Sequence, residues 1–187
     1  SEYLYSNSRF DQLSHQHYQQ FTQYSLKTSI ERAGGEILDM DVNFQVWGQI
    51  VVAFKRKRKS HKKFESLKLY EFNDIKLSYE NFQNQIQVLK KKLRLFKDKK
   101  IFGFGAAQNF PIFSNFYQEK FPFDFILDDH PLRAGRFFPN LPYKIIKPDD
   151  NGYKGSVGII TAPDYARVLI PRMSQLKFDH IISPFNN

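Results

Sequence analysis

Polar and apolar positions follow one rhythm in the first half of this chain and another after about residue 100. The opening stretch, Ser1 to about Gln23, is rich in Gln, Ser, His and Tyr and reads as a disordered arm. Ser25 to Ala33 predicts a short helix, because Leu26 and Ile30 lie four apart and Gly34-Gly35 ends the run. Glu36 to Val42 alternates as a strand, and Gln49 to Phe54 is apolar enough to predict a second, largely buried one. With Val46-Trp47-Gly48 as its turn, the pair reads as a hairpin at the edge of a sheet that continues upstream of residue 1.

Phe82, Ile86, Leu89, Leu93 and Phe96 then step by four, three, four and three, the stripe of an amphipathic helix from about Leu77 to Phe96. Such a stripe is core packing and bridges the two parts of the chain. Beyond it, short apolar runs alternate with helical stretches. Ile101-Phe104, Phe123-Leu127, Tyr143-Ile146, Ser156-Ile160 and His180-Ile182 read as strands, with helices around Ile112-Glu119 and Asp164-Gln175. Strand-helix alternation implies a right-handed parallel sheet. The expected fold is therefore α/β: a Rossmann-like parallel sheet with flanking helices, preceded by an N-terminal helix, a β-hairpin and a long bridging helix. The expected divisions are residues 1–60, 61–98 and 99–187.

Composition narrows the possibilities. Hydrophobic residues make up 41% of the 187 positions and aromatics 17%, enough for a core, which argues against wholesale disorder. The absence of cysteine rules out disulfides, thiolate zinc sites and thiol nucleophiles. No apolar run approaches the roughly 20 residues that span a bilayer, and the N-terminus has no signal-peptide pattern. A cytoplasmic protein without membrane contact is expected. The net charge of +9 sits largely in two runs, Lys55 to Lys63 and Lys90 to Lys100. Such runs attract polyanions, but they also serve as a solvated turn and a polar helix face. With no recognition motif beside them, nucleic acid ranks well below a small-molecule ligand.

Two constellations can carry chemistry. Gly103-Phe104-Gly105-Ala106 ends the first strand of the parallel sheet, where glycines permit close approach of a ligand phosphate and a following helix offers its amides. The same turn can simply serve strand-to-helix packing, and Gln108 stands where a dinucleotide fingerprint has its third glycine. The second strand ends in Asp128-Asp129-His130-Pro131, then Arg133 and Gly135. Acidic residues at such a tip reach sugar hydroxyls, although an Asp-rich turn before proline is also ordinary loop chemistry.

Ile101 to Pro111, together with Asp124 to Pro139, resembles the C-terminal domain of the sugar C-methyltransferases, which has a Gly-Tyr-Gly-Ala turn and a strand ending in Asp. Asn109-Phe110-Pro111 departs from that family's Lys-Gly-Asn, and Arg133 stands in for a later lysine. Phe10 to His17, followed by Tyr24-Ser25-Leu26 and Ala33-Gly34-Gly35, resembles the end of the family's methyltransferase domain with its Tyr-His-Glu-His motif. Ser14 stands for the Tyr, His15 for the first His, Gln16 for the Glu and His17 for the second His.

The resemblance implies that Gly103, Gly105, Ala106, Asp128, Asp129, His130, Arg133 and Gly135 bind a nucleotide-linked sugar. It implies that His17 is the base that takes a proton beside a sugar ketone, with His15 in support. No metal is expected. S-adenosylmethionine would be the methyl donor of the full-length family enzyme, bound by an upstream domain or subunit and not by this chain. A stand-alone sugar-nucleotide-binding module without catalysis is the alternative, and a basic protein that binds nucleic acid or an acidic partner is another.

Overall fold

The computed structural model describes residues 2–13, 19–43, 48–56 and 69–185. The chain divides into two compact units, Ser1–Phe82 and Gln83–Asn187, with the boundary inside one long helix.

In the N-terminal unit residues 2–13 and 19–23, the described parts of the opening stretch, are ordered, contrary to the expectation of a disordered arm. Helix α1 (Glu2–Ser6) leads to a 3-10 turn at Phe10–Gln12, and Leu4, Arg9, Phe10 and Asp11 are buried. The segment lacks apolar periodicity because polar groups organise it. Arg9 Nε and Nη2 donate to Asp11 Oδ1 and Oδ2, both at 2.8 Å. The Glu2 carboxylate accepts from the backbone N–H of Gln23 at 2.8 Å, at the start of helix α2 (Gln23–Arg32). A carboxylate there meets the positive end of the helix dipole. Thr22 and Ser25 form a reciprocal capping box, so α2 begins two residues earlier than its apolar spacing predicts.

Strands β1 (Gly35–Asn43) and β2 (Gln49–Arg56) pair antiparallel, with an irregularity between Ile37 and Asp39. The hairpin expectation holds, but the burial of β2 does not. No residue of β2 is fully buried, and Val51 and Phe54 are 62% and 58% exposed. Its apolar run reports β propensity without a covering layer among the described residues.

Helix α3 (Phe72–Arg94) starts five residues earlier than expected and buries Phe82, Ile86, Leu89 and Leu93 of the predicted stripe, while its fifth member, Phe96, lies past the helix end and is half-buried. The rest of the C-terminal unit is a five-stranded, all-parallel sheet in the order β5-β4-β3-β6-β7. Its strands are β3 (Ile101–Phe104), β4 (Phe125–Leu127), β5 (Lys144–Ile146), β6 (Val157–Ile160) and β7 (His180–Ile182). Helices α4 (Phe110–Tyr117) and α5 (Ala166–Gln175) follow β3 and β6, and a 3-10 turn at Pro163–Tyr165 leads into α5. The protein is thus a mixed α/β molecule, a Rossmann-like parallel sheet with flanking helices accompanied by an antiparallel hairpin.

The pleat sorts the sheet into two interiors. On one face Phe104, Leu127 and Ile160 pack with Met173, Leu176 and Phe178. On the other, Gly103 and Ile126 meet Phe123, part of a cluster of rings in which Phe110 lies 5.5–6.3 Å from Phe121, Phe123, Phe138 and Tyr143. Among the described residues, no helix is long and apolar enough to cross a membrane.

Candidate functional site

In an open parallel sheet the chain leaves β3 toward one edge and β6 toward the other, so the loops after these strands diverge. Ligands of such folds bind at this divergence, outside the carboxyl ends of the strands. Here the two loops are Gly105–Asn109 and Thr161–Asp164, and the loop after β4 stands beside the first.

Gly105 holds φ +97°, a left-handed conformation that side chains avoid. A Cβ there would lie 2.7 Å from Ala162 Cβ and 3.0 Å from Leu169 Cδ1, so the close approach the glycine permits is to the β6 loop. Thr161 Oγ1 donates to the Gly105 carbonyl at 2.7 Å, and the Thr161 N–H donates to the Phe104 carbonyl. These contacts stitch the base of the divergence shut with protein groups. Gly103 lies one step earlier, inside β3, where a Cβ would stand 3.0 Å from Ile126 and 3.1 Å from the Phe123 ring.

Asp128 is the centre of the arrangement. Its buried carboxylate accepts the Ala106 N–H at 2.7 Å, the His130 N–H at 2.9 Å and Arg133 Nη1 at 3.0 Å. One side chain therefore ties the glycine turn to the loop after β4. The neighbouring Asp129 is solvent-exposed and takes Arg172 in a two-pronged grip, with both N···O distances 2.9 Å. That carboxylate, and next its charge, pushes the Arg172 pKa above its ordinary value. His130 is exposed, and its Nδ1 accepts from the Leu132 N–H at 3.3 Å. Gly135 holds φ +80° and its N–H donates to the Ile145 carbonyl, fixing the far end of the loop to β5.

The geometry thus brings Gly105, Ala106, Asp128, His130 and Arg133 together, with Asp129 adjacent and Gly135 at the loop's far end. It adds residues that the linear reading missed: Thr161, Arg172, and Asn109, whose Nδ2 donates to Asp164 Oδ2 at 3.2 Å between the two diverging loops. Thr161 and Asp164 carried a usable signal, polar residues just after an apolar strand. Arg172 carried none, because its partner lies 43 residues away. His15 and His17 lie outside the described residues. Among the described residues no group of three or more His, Cys, Asp or Glu could hold a metal ion.

The sheet, its switch point and the tethered loops define an α/β protein of Rossmann-like architecture. The chain matches no family model, and no curated protein matches it.

S-adenosylmethionine, the donor the resemblance implies, calls for a carboxylate at the second strand tip that is free to take ribose hydroxyls. Asp128 already accepts three hydrogen bonds and Asp129 holds Arg172. These residues do not fit the donor.

Proposed function

We propose that the carboxyl-edge crevice holds a nucleotide-linked keto sugar, and that the chain is the substrate-holding portion of a cytoplasmic, S-adenosylmethionine-dependent sugar C-methyltransferase. The observation that carries the reading is the Asp128 carboxylate. By gripping Ala106, His130 and Arg133 together it makes one rigid rim from two loops, the kind of preorganisation that spares a ligand the cost of ordering its site.

In this reading Asp128 is a positioning residue. The start of α4 and the Arg133 guanidinium face the diphosphate, a helix N-terminus and a cation suited to an anion. His130 meets sugar hydroxyls, and Asp129 keeps Arg172 in place beside the rim. His17 takes the proton from the carbon beside the ketone, and His15 supports it. The methyl donor is bound elsewhere, by an upstream domain or subunit.

Calorimetry with uridine and thymidine diphosphates and their sugar conjugates tests the ligand class. Saturable heat with a conjugate is expected, and no heat with any of them at millimolar protein would sink the proposal. A catalytic portion is separated from a binding module by proton exchange. In deuterated water the chain should exchange the proton beside the ketone of a bound keto sugar, and His17→Ala should abolish the exchange. Saturable binding of S-adenosylmethionine in equilibrium dialysis would overturn the division of labour.

A further inference from the structure

The opposite edge of the same sheet has a different chemistry. Along the sequence the lysines of the C-terminal unit read as one run near residue 95 and scattered singles, but the parallel topology collects them. Every strand starts at the amino edge, so the segments just before β3, β4, β6 and β7 all lie there. Contacts join these segments: the Phe96 and His180 rings are 4.7 Å apart, Val157 N–H donates to the Lys100 carbonyl, and Gly155 N–H donates to Asp179.

Three of the acids at this edge are already matched by a lysine. Lys90 holds Glu119 at 2.9 Å, Lys99 holds Asp179 at 3.3 Å and Lys120 holds Asp124 at 3.5 Å. Lys91, Lys92, Lys97, Lys100, Lys154 and Lys177 are exposed and, among the described residues, make no ion pair. Asp98 is the one further acid between α3 and β3, and the segment before β6 adds Asp149 and Asp150, the latter 3.8 Å from Arg172.

Three features select the partner. The free cations are mainly lysines, compact point charges without the planar fork that grips carboxylates two-pronged. Most rings nearby are engaged: Phe96 on His180, Tyr153 on Phe178 at 4.8 Å, and Tyr117 on Phe121 at 3.9 Å. Phe125, 39% exposed at the start of β4, is a single ring where stacking of successive unpaired bases needs several. Leu95, 80% exposed, is the single large apolar side chain that the segment between α3 and β3 exposes, less than a membrane anchor needs. We infer that the amino edge of the sheet is a second binding surface, and that it contacts the phosphate backbone of double-stranded nucleic acid without reading its sequence. It stands apart from the carboxyl-edge crevice and does not depend on the sugar reading.

The test is fluorescence anisotropy of the full chain with two short labelled duplexes of unrelated sequence. Both should bind equally, and six phosphate contacts predict about a thousandfold loss of affinity between 50 and 200 mM salt. Replacing Lys91, Lys92, Lys97 and Lys100 by Glu should weaken binding by at least about tenfold at low salt, as loss of phosphate contacts demands, with circular dichroism unchanged. The inference is overturned if neither duplex binds at low salt. It is overturned as well if the loss follows Lys57→Glu with Arg58→Glu instead of the amino-edge changes. Capture on phosphatidylserine-containing vesicles without duplex binding would also overturn it and assign the surface to a membrane.

Discussion

The interior of the N-terminal unit sets a buried ion pair beside a small ring cluster about Phe10. That of the C-terminal unit is built on rings and aliphatic strands, without a fully buried ion pair among the described residues. Arg9 and Asp11 are 1% and 0% exposed and share two 2.8 Å hydrogen bonds, while Val51 and Phe54 of the neighbouring hairpin stay mostly in solvent. In the C-terminal unit Phe110 is 0% exposed within a cluster of aromatic side chains, and the four residues of β6 are all buried. A buried ion pair contributes little net stability, because desolvation opposes its attraction, whereas ring burial is favourable throughout. The contrast teaches that the two units depend on different kinds of residue and should fail in different ways.

The largest expected effects test that contrast directly. Phe110→Ala should cost about 3–5 kcal/mol, from lost burial and the cavity left among four neighbouring rings. Asp11→Ala should cost a similar amount, roughly 3–5 kcal/mol, by a different route, removing two charge-assisted hydrogen bonds from a buried guanidinium. The routes separate in a double variant: Arg9→Met with Asp11→Leu should recover part of the loss, since an apolar pair of similar volume leaves no buried charge behind. Hydrogen exchange read by mass spectrometry assigns each loss to a unit. Equal deprotection of both units by Phe110→Ala would break the comparison.

The next effect is alkaline. Burial, with a smaller push from Glu119, raises the Tyr117 phenol from 10.0 to about 12, and burial also raises Tyr143 against the opposing hydrogen bond from the Phe121 N–H. A group whose pKa is raised on folding contributes stability that is complete below the unfolded value and lost as pH climbs through the folded one. Stability should therefore hold below about pH 10 and fall by roughly 2–3 kcal/mol toward pH 12. Denaturant titrations across that window check it. Tyr117→Phe should flatten most of the decline, and an unchanged slope would show that the ring core does not control it.

How much of this was legible depended on whether a residue's role is local. The α3 stripe from Phe82 to Leu93 and the five strands could be read, because period and run length are local signals of burial. The burial of the opening segment could not, since it rests on Glu2 reaching Gln23 across 21 positions and on Ser78 reaching the Tyr5 carbonyl across 73. Nor could the exposure of Phe54, because an apolar strand does not report whether a second layer covers it. At the carboxyl edge, the sequence located the Gly105 turn and the Asp128 tip but not their relation. The carboxylate read as a ligand for hydroxyls is turned inward onto the Ala106 amide.

The smallest expected effect separates the two neighbouring aspartates, and with them the buried and exposed modes of holding a loop. Asp128→Asn puts an NH2 group where one oxygen now accepts from Ala106, His130 or Arg133, leaving a donor facing a donor in a buried place. That should cost about 1–3 kcal/mol and loosen the rim, so nucleotide-sugar affinity should fall with it. Asp129→Asn removes an exposed pair, whose worth is about 0–1 kcal/mol because solvent screens it. Its stability should barely move, while Arg172 is released from its two-pronged grip. Thermal melts of both variants, followed by calorimetry with the same sugar conjugate, give the two readouts. The expected order is a clear loss in both for Asp128→Asn and near-native melting for Asp129→Asn, and the reverse order would move the anchor of the rim from the buried carboxylate to the exposed one.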